Sequence, residues 1–230
     1  MKHDFSALEK KVSVSFKDKD LLKKAFVHRS YINEHPEFEM GHNERLEFLG
    51  DAVLELVVTE YLFRHHHNAE GDLTAYRASL VNSKMLARVG SDLDFNNYLL
   101  LSKGEAKDID GRARSFIIAD AVEAFIGAMH LDQGFDVAKR FITDHVIIHL
   151  DEVLEKKLYQ DPKSALQEKA QERKSVTPRY EVLRETGPDH EKTFCVGVYF
   201  ESILVAEGQG SNKQEAEEDA AKKALQKNNW

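Results

Sequence analysis

Asn43-Glu44-Arg45-Leu46-Glu47-Phe48-Leu49-Gly50-Asp51-Ala52, continuing through Val53, Leu54, Leu56, Val57 and Val58, is an acidic island in an apolar stretch. A second island is Asp120 and Glu123, nearly the only charges between Phe116 and Leu131. Apolar residues almost all round a helix mark a buried helix, and a lone ionised carboxylate in such a place is costly unless neutralised. Neither apolar segment carries a Lys or Arg to do so, which points to a divalent cation. Glu47 and Asp51 are four apart and Asp120 and Glu123 three apart, so each pair shares one helix face. Two such helices face to face would gather four carboxylates. An all-oxygen set selects a hard ion, Mg²⁺ or Mn²⁺ in its place, rather than zinc. Such ions commonly serve phosphate chemistry. The same spacing also fits helix-surface acids paired with bases elsewhere, and spacing alone leaves both readings open.

The remaining sequence sets the frame. At 230 residues, 42% apolar and 31% charged, the chain has room for one medium domain plus a small one, or for a single large one. The single cysteine, Cys195, excludes an intrachain disulfide and suits a reducing compartment. Its setting, Thr193 to Val198, reads as a strand with the thiol as a small core side chain. The charged start offers no signal peptide, and no run approaches the ~18–20 apolar residues of a membrane span. A cytoplasmic location is therefore expected. The net charge of −8 argues against an indiscriminate polyanion binder, so any nucleic-acid contact must come from local patches.

Helical periodicity runs from Asp4 to Tyr159. It predicts helices near Phe5–Val12, Asp18–Phe26, Asn43–Arg64, Glu70–Val81, Ser83–Val89, Arg114–Leu131 and Phe135–Tyr159. The pattern changes at Asp161-Pro162, a cap followed by a first-turn proline. A helix to about Arg173 is expected next, then strands Arg179–Glu185, Lys192–Glu201 and Ser202–Gly208. A last helix runs from Asn212, with Glu215 placed for a reciprocal capping box, to about Lys227. The expectation is multidomain: an all-α domain over residues 1–159, then a small α+β domain of α-β-β-β-α order over 160–230.

Glu44 to Ala52, ERLEFLGDA, matches the signature of bacterial ribonuclease III, and Ile118 to Ala124 resembles that family's other catalytic helix. The part after Gln160 resembles a double-stranded-RNA-binding domain, by its Gly187-Pro188-Asp189-His190 loop and its Lys213-Gln214-Glu215-Ala216-Glu217 helix start. The resemblance spans about Phe5 to Lys227. It implies a homodimeric endoribonuclease that cuts double-stranded RNA to 5′-phosphate and 3′-hydroxyl ends with a two-nucleotide overhang. Implied substrates are ribosomal RNA precursors and structured messenger RNAs. Carried over residue by residue, Glu47, Asp51, Asp120 and Glu123 are the metal-binding set, with Asp51 and Glu123 the essential catalytic acids. Glu44 and Glu70 are auxiliary acids. Phe48 resembles the aromatic that plugs into the partner subunit, although a core Phe would read the same. Gln167 and Glu168 would face one minor groove, Pro188, Asp189 and His190 the next, and Lys213 the phosphates between. Gln214 and Glu217 stand where relatives often carry Lys, which implies weaker and less salt-dependent binding.

Two tempting features are set aside. His65-His66-His67 point in three directions on a helix and suit its negative end. No GxxxxGK[ST] loop is present, so no nucleotide cofactor is expected. The rival readings are a non-cleaving duplex-RNA-binding protein and a dimerisation scaffold with a structural ion.

Overall fold

Each acidic island folds as part of a 22-residue helix, and the two helices cross. The computed structural model describes residues 4–107, 111–188 and 192–230, with Arg112 described by its backbone alone. The chain forms two units, Met1–Tyr159 and Gln160–Trp230. The first contains α1 (Ser6–Lys11), α2 (Lys19–Lys24), α3 (Arg29–Glu34), α4 (Glu44–His65), α5 (Glu70–Val81), α6 (Ser83–Asp92), α7 (Lys103–Lys107), α8 (Arg112–Gln133), α9 (Phe135–His145) and α10 (Leu150–Glu155). The second contains α11 (Pro162–Lys174), β1 (Pro178–Thr186), β2 (Thr193–Phe200), β3 (Ile203–Gly210) and α12 (Lys213–Lys227). The architecture is thus a helical domain followed by a small domain with a three-stranded antiparallel sheet, in the order β1-β2-β3.

Helix α8 is the axis of the first unit. From Ile117 to Met129 every residue is buried except Asp120 and Glu123, which are partly exposed. Phe125 on α8 gathers Phe16, Phe26, Phe95 and Phe141 around it, with ring centroids 5.2–6.0 Å away. These edge-on and tilted pairings suit aromatic quadrupoles. Helices α4, α6 and α9 pack around α8.

The α4–α8 crossing is as close as backbones allow. A methyl on Gly50 would lie 1.7 Å from the Glu123 carbonyl oxygen, and one on Gly127 would lie 2.2 Å from the Leu46 carbonyl oxygen. A glycine inside a helix usually weakens it, by roughly 0.8–1.0 kcal/mol relative to Ala. Here that cost is offset by backbone-to-backbone approach.

The register of α4 is fixed at its start. Asn43, buried, donates from Nδ2 to the Ala25 carbonyl at 3.0 Å, and its backbone N–H donates to Val27 at 2.9 Å. At the other end, His65 donates from Nδ1 to the Tyr61 carbonyl at 2.8 Å and stacks on its ring. The histidine run thus begins as a helix-end device, as its sequence implies.

Some expectations need correction. Phe135–Tyr159 is two helices, with a 3-10 turn at Ile147–His149 between α9 and α10. The β-branched run Val146-Ile147-Ile148 favours helix poorly, and the turn keeps Val146, Ile147, Leu150 and Val153 buried while releasing Ile148 to the surface. Short helices α3 and α7 arise where no periodicity announces them. In α12, Asn212 caps the Glu215 N–H at 2.9 Å, as expected. The Glu215 carboxylate, however, accepts from the Ser211 N–H and hydroxyl at 3.0 and 2.6 Å, which sets the returning contact one residue before a standard capping box.

In the second unit, Asp161 accepts from the Ser164 N–H at 2.7 Å and Pro162 sits in the first turn of α11. Leu166, Ala170, Val198, Phe200, Ala220, Ala221 and Ala224 form its core. Glu201 takes the left-handed conformation, φ 54°, in the turn between β2 and β3. Cys195 is buried on β2, as a core thiol should be. No helix among the described residues is long and apolar enough to cross a membrane.

Gly50→Ala tests the crossing. Overpacking against backbone costs about 1–3 kcal/mol or more, which exceeds the gain in helix propensity. The variant should melt several degrees below wild type, at about 2–4 °C per kcal/mol. An unchanged thermal unfolding curve would contradict so close a contact.

Candidate metal centre and nucleic-acid interface

The crossing carries Glu47 against Asp120 and Glu123. One carboxylate oxygen from each of the three lies within 4.8 Å of the other two. Ligands of a single octahedral Mg²⁺ stand about 3–4 Å apart, given bonds of about 2.0–2.1 Å. The trio therefore needs only a small side-chain adjustment to share one ion. Among the described residues this is the one group of His, Cys, Asp or Glu side chains so arranged.

Burial and mutual repulsion disfavour the charged form of these carboxyls. Glu123 is pushed up to about 8, first by burial and then by repulsion from Asp51, Glu47, Asp120 and Glu55. Glu47 is pushed up to about 7, again by burial, then by Asp120, Glu44 and Asp51. Asp120 and Asp51 are also raised, mainly by desolvation, with Glu44 acting on the first and Glu55 on the second. A structural acid cluster would be expected to bring its own lysines or arginines. This set of oxygen donors instead fits a hard divalent cation.

The other acids implied by the resemblance fall in different places. Asp51 lies outside the trio, although its charge reaches Glu123. Glu44, one turn before Glu47, acts electrostatically on Glu47 and Asp120 and pairs with Arg29 and His42, each at 3.7 Å. Glu70 is exposed at the start of α5 and is neither in the trio nor among the charges that shift it. Phe48 is 81% exposed, which removes the core reading. It shares a face of α4 with Ala52, Leu56 and Phe63, all exposed.

In the second unit a groove of about 590 Å³ separates the starts of α11 and α12. Gln167 and Lys213 line it together with Lys163, Gln214 and Glu217. Glu168 lies beside Gln167, exposed on α11. Lys213 stands 3.9 Å from Glu185 and its ammonium lies 5.9 Å from the Phe194 ring centre. Lys163 is ion-paired to Glu217. Pro188 is exposed at the end of the β1 connection, whereas Asp189 and His190 lie outside the described residues.

Three contributors lie outside the set that the sequence singles out. The glycine pair Gly50 and Gly127 carries a signal, since a glycine inside an apolar helix often marks close approach. Asn43 carries a weaker one, as a capping residue type just before the signature. Arg29 and His42 carry none, because their neighbourhood with Glu44 is made by tertiary packing.

The first unit is a helical domain bearing a carboxylate cluster, and the second is a small α-β-β-β-α domain. Residues 18–150 match the family model described as Ribonuclease-III-like, and residues 162–228 match the double-stranded RNA binding motif. Ribonuclease 3 of Pelotomaculum thermopropionicum is 43% identical over 96% of this chain and 91% of its own. Ribonuclease 3 of Streptococcus pneumoniae is 45% identical over 99% of this chain and 97% of its own. The nuclease domain of ribonuclease III from Campylobacter jejuni matches with a TM-score of 0.56 at 43% identity, over 64% of this chain and 95% of that one. The chain belongs to the ribonuclease III family, and it is an endoribonuclease, a hydrolase of phosphodiester bonds.

The raised carboxyls make a prediction for the metal-free protein. A carboxyl whose folded pKa exceeds its unfolded value keeps, when folded, a proton that the unfolded chain gives up. Its contribution is favourable below the unfolded value of about 4.5 and is lost as pH rises toward the folded value, here about 7 for Glu47 and about 8 for Glu123. Glu123→Gln should therefore melt above wild type at pH 8 in chelator, by a few degrees, with the gap closing toward pH 5. Parallel melting curves across that range would contradict the assigned electrostatics.

Proposed function

We propose that this chain cleaves double-stranded RNA endonucleolytically as a Mg²⁺-dependent homodimer, leaving 5′-phosphate and 3′-hydroxyl ends. The observation that carries this reading is the convergence of Glu47, Asp120 and Glu123 at the α4–α8 crossing, in a chain that also bears a duplex-RNA-binding motif. Glu47, Asp120 and Glu123, with Asp51 beside them, would hold the ion. When bound, Mg²⁺ supplies Lewis-acid polarisation of a phosphoryl oxygen and a water acidic enough to act as nucleophile at neutral pH, and Mn²⁺ can stand in for it. Asp51 and Glu123 are the acids assigned to catalysis by the family resemblance, and the charge of Asp51 on α4 reaches Glu123 across the crossing. Glu44 tunes the rim of the site through Arg29 and His42. Glu70 keeps the auxiliary role implied by the family resemblance.

The domain boundary in this reading falls between residues 159 and 160, with catalysis and dimerisation before it and RNA binding after it. The exposed face of Phe48, Ala52, Leu56 and Phe63 is the dimer surface, since contiguous exposed apolar side chains mark interaction sites. On the second unit, Gln167 and Glu168 read one minor groove and Lys213 meets phosphates, with Pro188, Asp189 and His190 in the next minor groove. Pairing of Lys163 with Glu217 and of Lys213 with Glu185 leaves little free positive charge at that face. Each copy binds modestly, and the dimer gains by avidity. Ribosomal RNA precursors and structured messenger RNAs in the cytoplasm are the substrates in view.

The test is cleavage of a long labelled RNA duplex by wild type and Glu123→Gln, with Mg²⁺ and with excess chelator. Wild type with Mg²⁺ should give short staggered products. Glu123→Gln should bind the duplex and cut it at least about 100-fold more slowly, the loss typical of a group acting on charge in the transition state. A wild type that binds but leaves the duplex whole in both Mg²⁺ and Mn²⁺ would transfer the case to a binding-only protein.

A further inference from the structure

The acid cluster poses a problem for its substrate, because a polyanion must approach several carboxylates at once. Among the described residues, the ion pair made to Glu44, Glu47, Asp51, Asp120 or Glu123 by a fixed cation comes from Arg29 and goes to Glu44, with the His42 ring beside the same carboxylate. Arg29 is the first residue of α3, where His28 caps the helix by accepting from the Ser30 N–H. The Ser30 hydroxyl in turn accepts from the Ser102 N–H at 3.1 Å, so the base of Arg29 is anchored from two sides of the chain. Its side chain is nevertheless 72% exposed, and its guanidinium stands 3.7 Å from Glu44, beyond hydrogen-bond distance. A long, exposed pair of this kind contributes little to folding. What it does is hold a cation one helical turn from Glu47, pointed into solvent beside the site.

We propose that Arg29, flanked by His42, is a phosphate-binding residue that grips the phosphodiester next to the scissile one on the Glu44 side of the centre. This rests on the endoribonuclease reading above. Guanidinium groups match phosphate oxygens in a fork that carboxylate pairing at 3.7 Å does not use. On RNA binding Arg29 leaves Glu44 for the phosphate, exchanging a weak ion pair for a charge-assisted one. The exchange adds binding energy for the strand beside the carboxylate trio. His42, whose Nδ1 accepts from the Glu44 N–H at 3.4 Å and lies 3.7 Å from the other Glu44 oxygen, flanks Arg29 on the same side.

The experiment is steady-state cleavage of duplex RNA by the full-length protein in Mg²⁺, over a series of salt concentrations. It compares wild type, Arg29→Gln and Arg29→Lys, with melting temperatures alongside. Arg29→Gln should raise KM about tenfold with kcat changed less than about twofold, and should make the log–log salt slope shallower by about one, as loss of one phosphate contact requires. Arg29→Lys should restore the slope but only part of the KM, since a point charge replaces the fork. Should Arg29→Gln fail to fold, the Lys variant carries the test through that same split. Wild-type KM and slope in both variants would overturn the proposal, as would a fall in kcat alone, which would mean that Arg29 acts only on Glu44. If wild type itself leaves the duplex intact, the parent reading fails. If wild type cleaves and both Arg29 variants match it, only this inference does.

Discussion

Everything that makes this site depends on one contact, the backbone approach of α4 to α8 at Gly50 and Gly127. With no side chain at either position, the Glu123 carbonyl and the Leu46 carbonyl lie where a methyl would stand. Each helix then delivers the carboxylates on its inner face to the same point. A residue with a Cβ at either position would clash with the facing backbone, so the helices would have to shift. That shift would spread the trio Glu47, Asp120 and Glu123.

That geometry sets stability against function. The core around Phe125 and the buried stretch of α8 must be strong enough to hold like charges together in a partly desolvated place. Burial and like charge raise the Glu47 and Glu123 carboxyls accordingly. The repulsion is relieved either by protons at low pH or by a cation at working pH, so metal binding and proton release are linked. An apolar replacement would give a more stable protein with nothing to do. Uncompensated carboxylates in the otherwise apolar stretch from Ile117 to Met129 point to a working site.

Much of this is legible in the amino-acid sequence. Asp120 and Glu123 stand out because every neighbour from Ile117 to Met129 is apolar or small, and an isolated charge in such a run needs a reason. Asp161-Pro162 marks the start of α11 because capping chemistry is local. The strands of the second unit are readable from alternation and turn residues, with boundaries off by a residue or two. The break at Ile147–His149 is not, because the buried positions 138, 141, 142, 146, 150 and 153 keep helical spacing straight through it. Helix α3 is hidden for a different reason: at six residues it lacks a stripe of its own and exists through His28 and Ser30 contacts with the Leu100–Ser102 segment. The relation of Arg29 to Glu44 is likewise tertiary, joining residues whose separation in sequence carries no period. Family resemblance supplies four ligands at once, whereas the geometry singles out three and leaves Asp51 at their edge.

The central claim is that α4 and α8 build a hard-metal centre from Glu47, Asp120 and Glu123. Its most direct test is a crystal structure of the protein soaked in Mn²⁺, with the ion located by its anomalous scattering. A strong peak is predicted within bonding distance of all three carboxylates, absent from crystals of Glu123→Gln. A saturating soak that leaves this point empty, or places the ion on other residues, would contradict it.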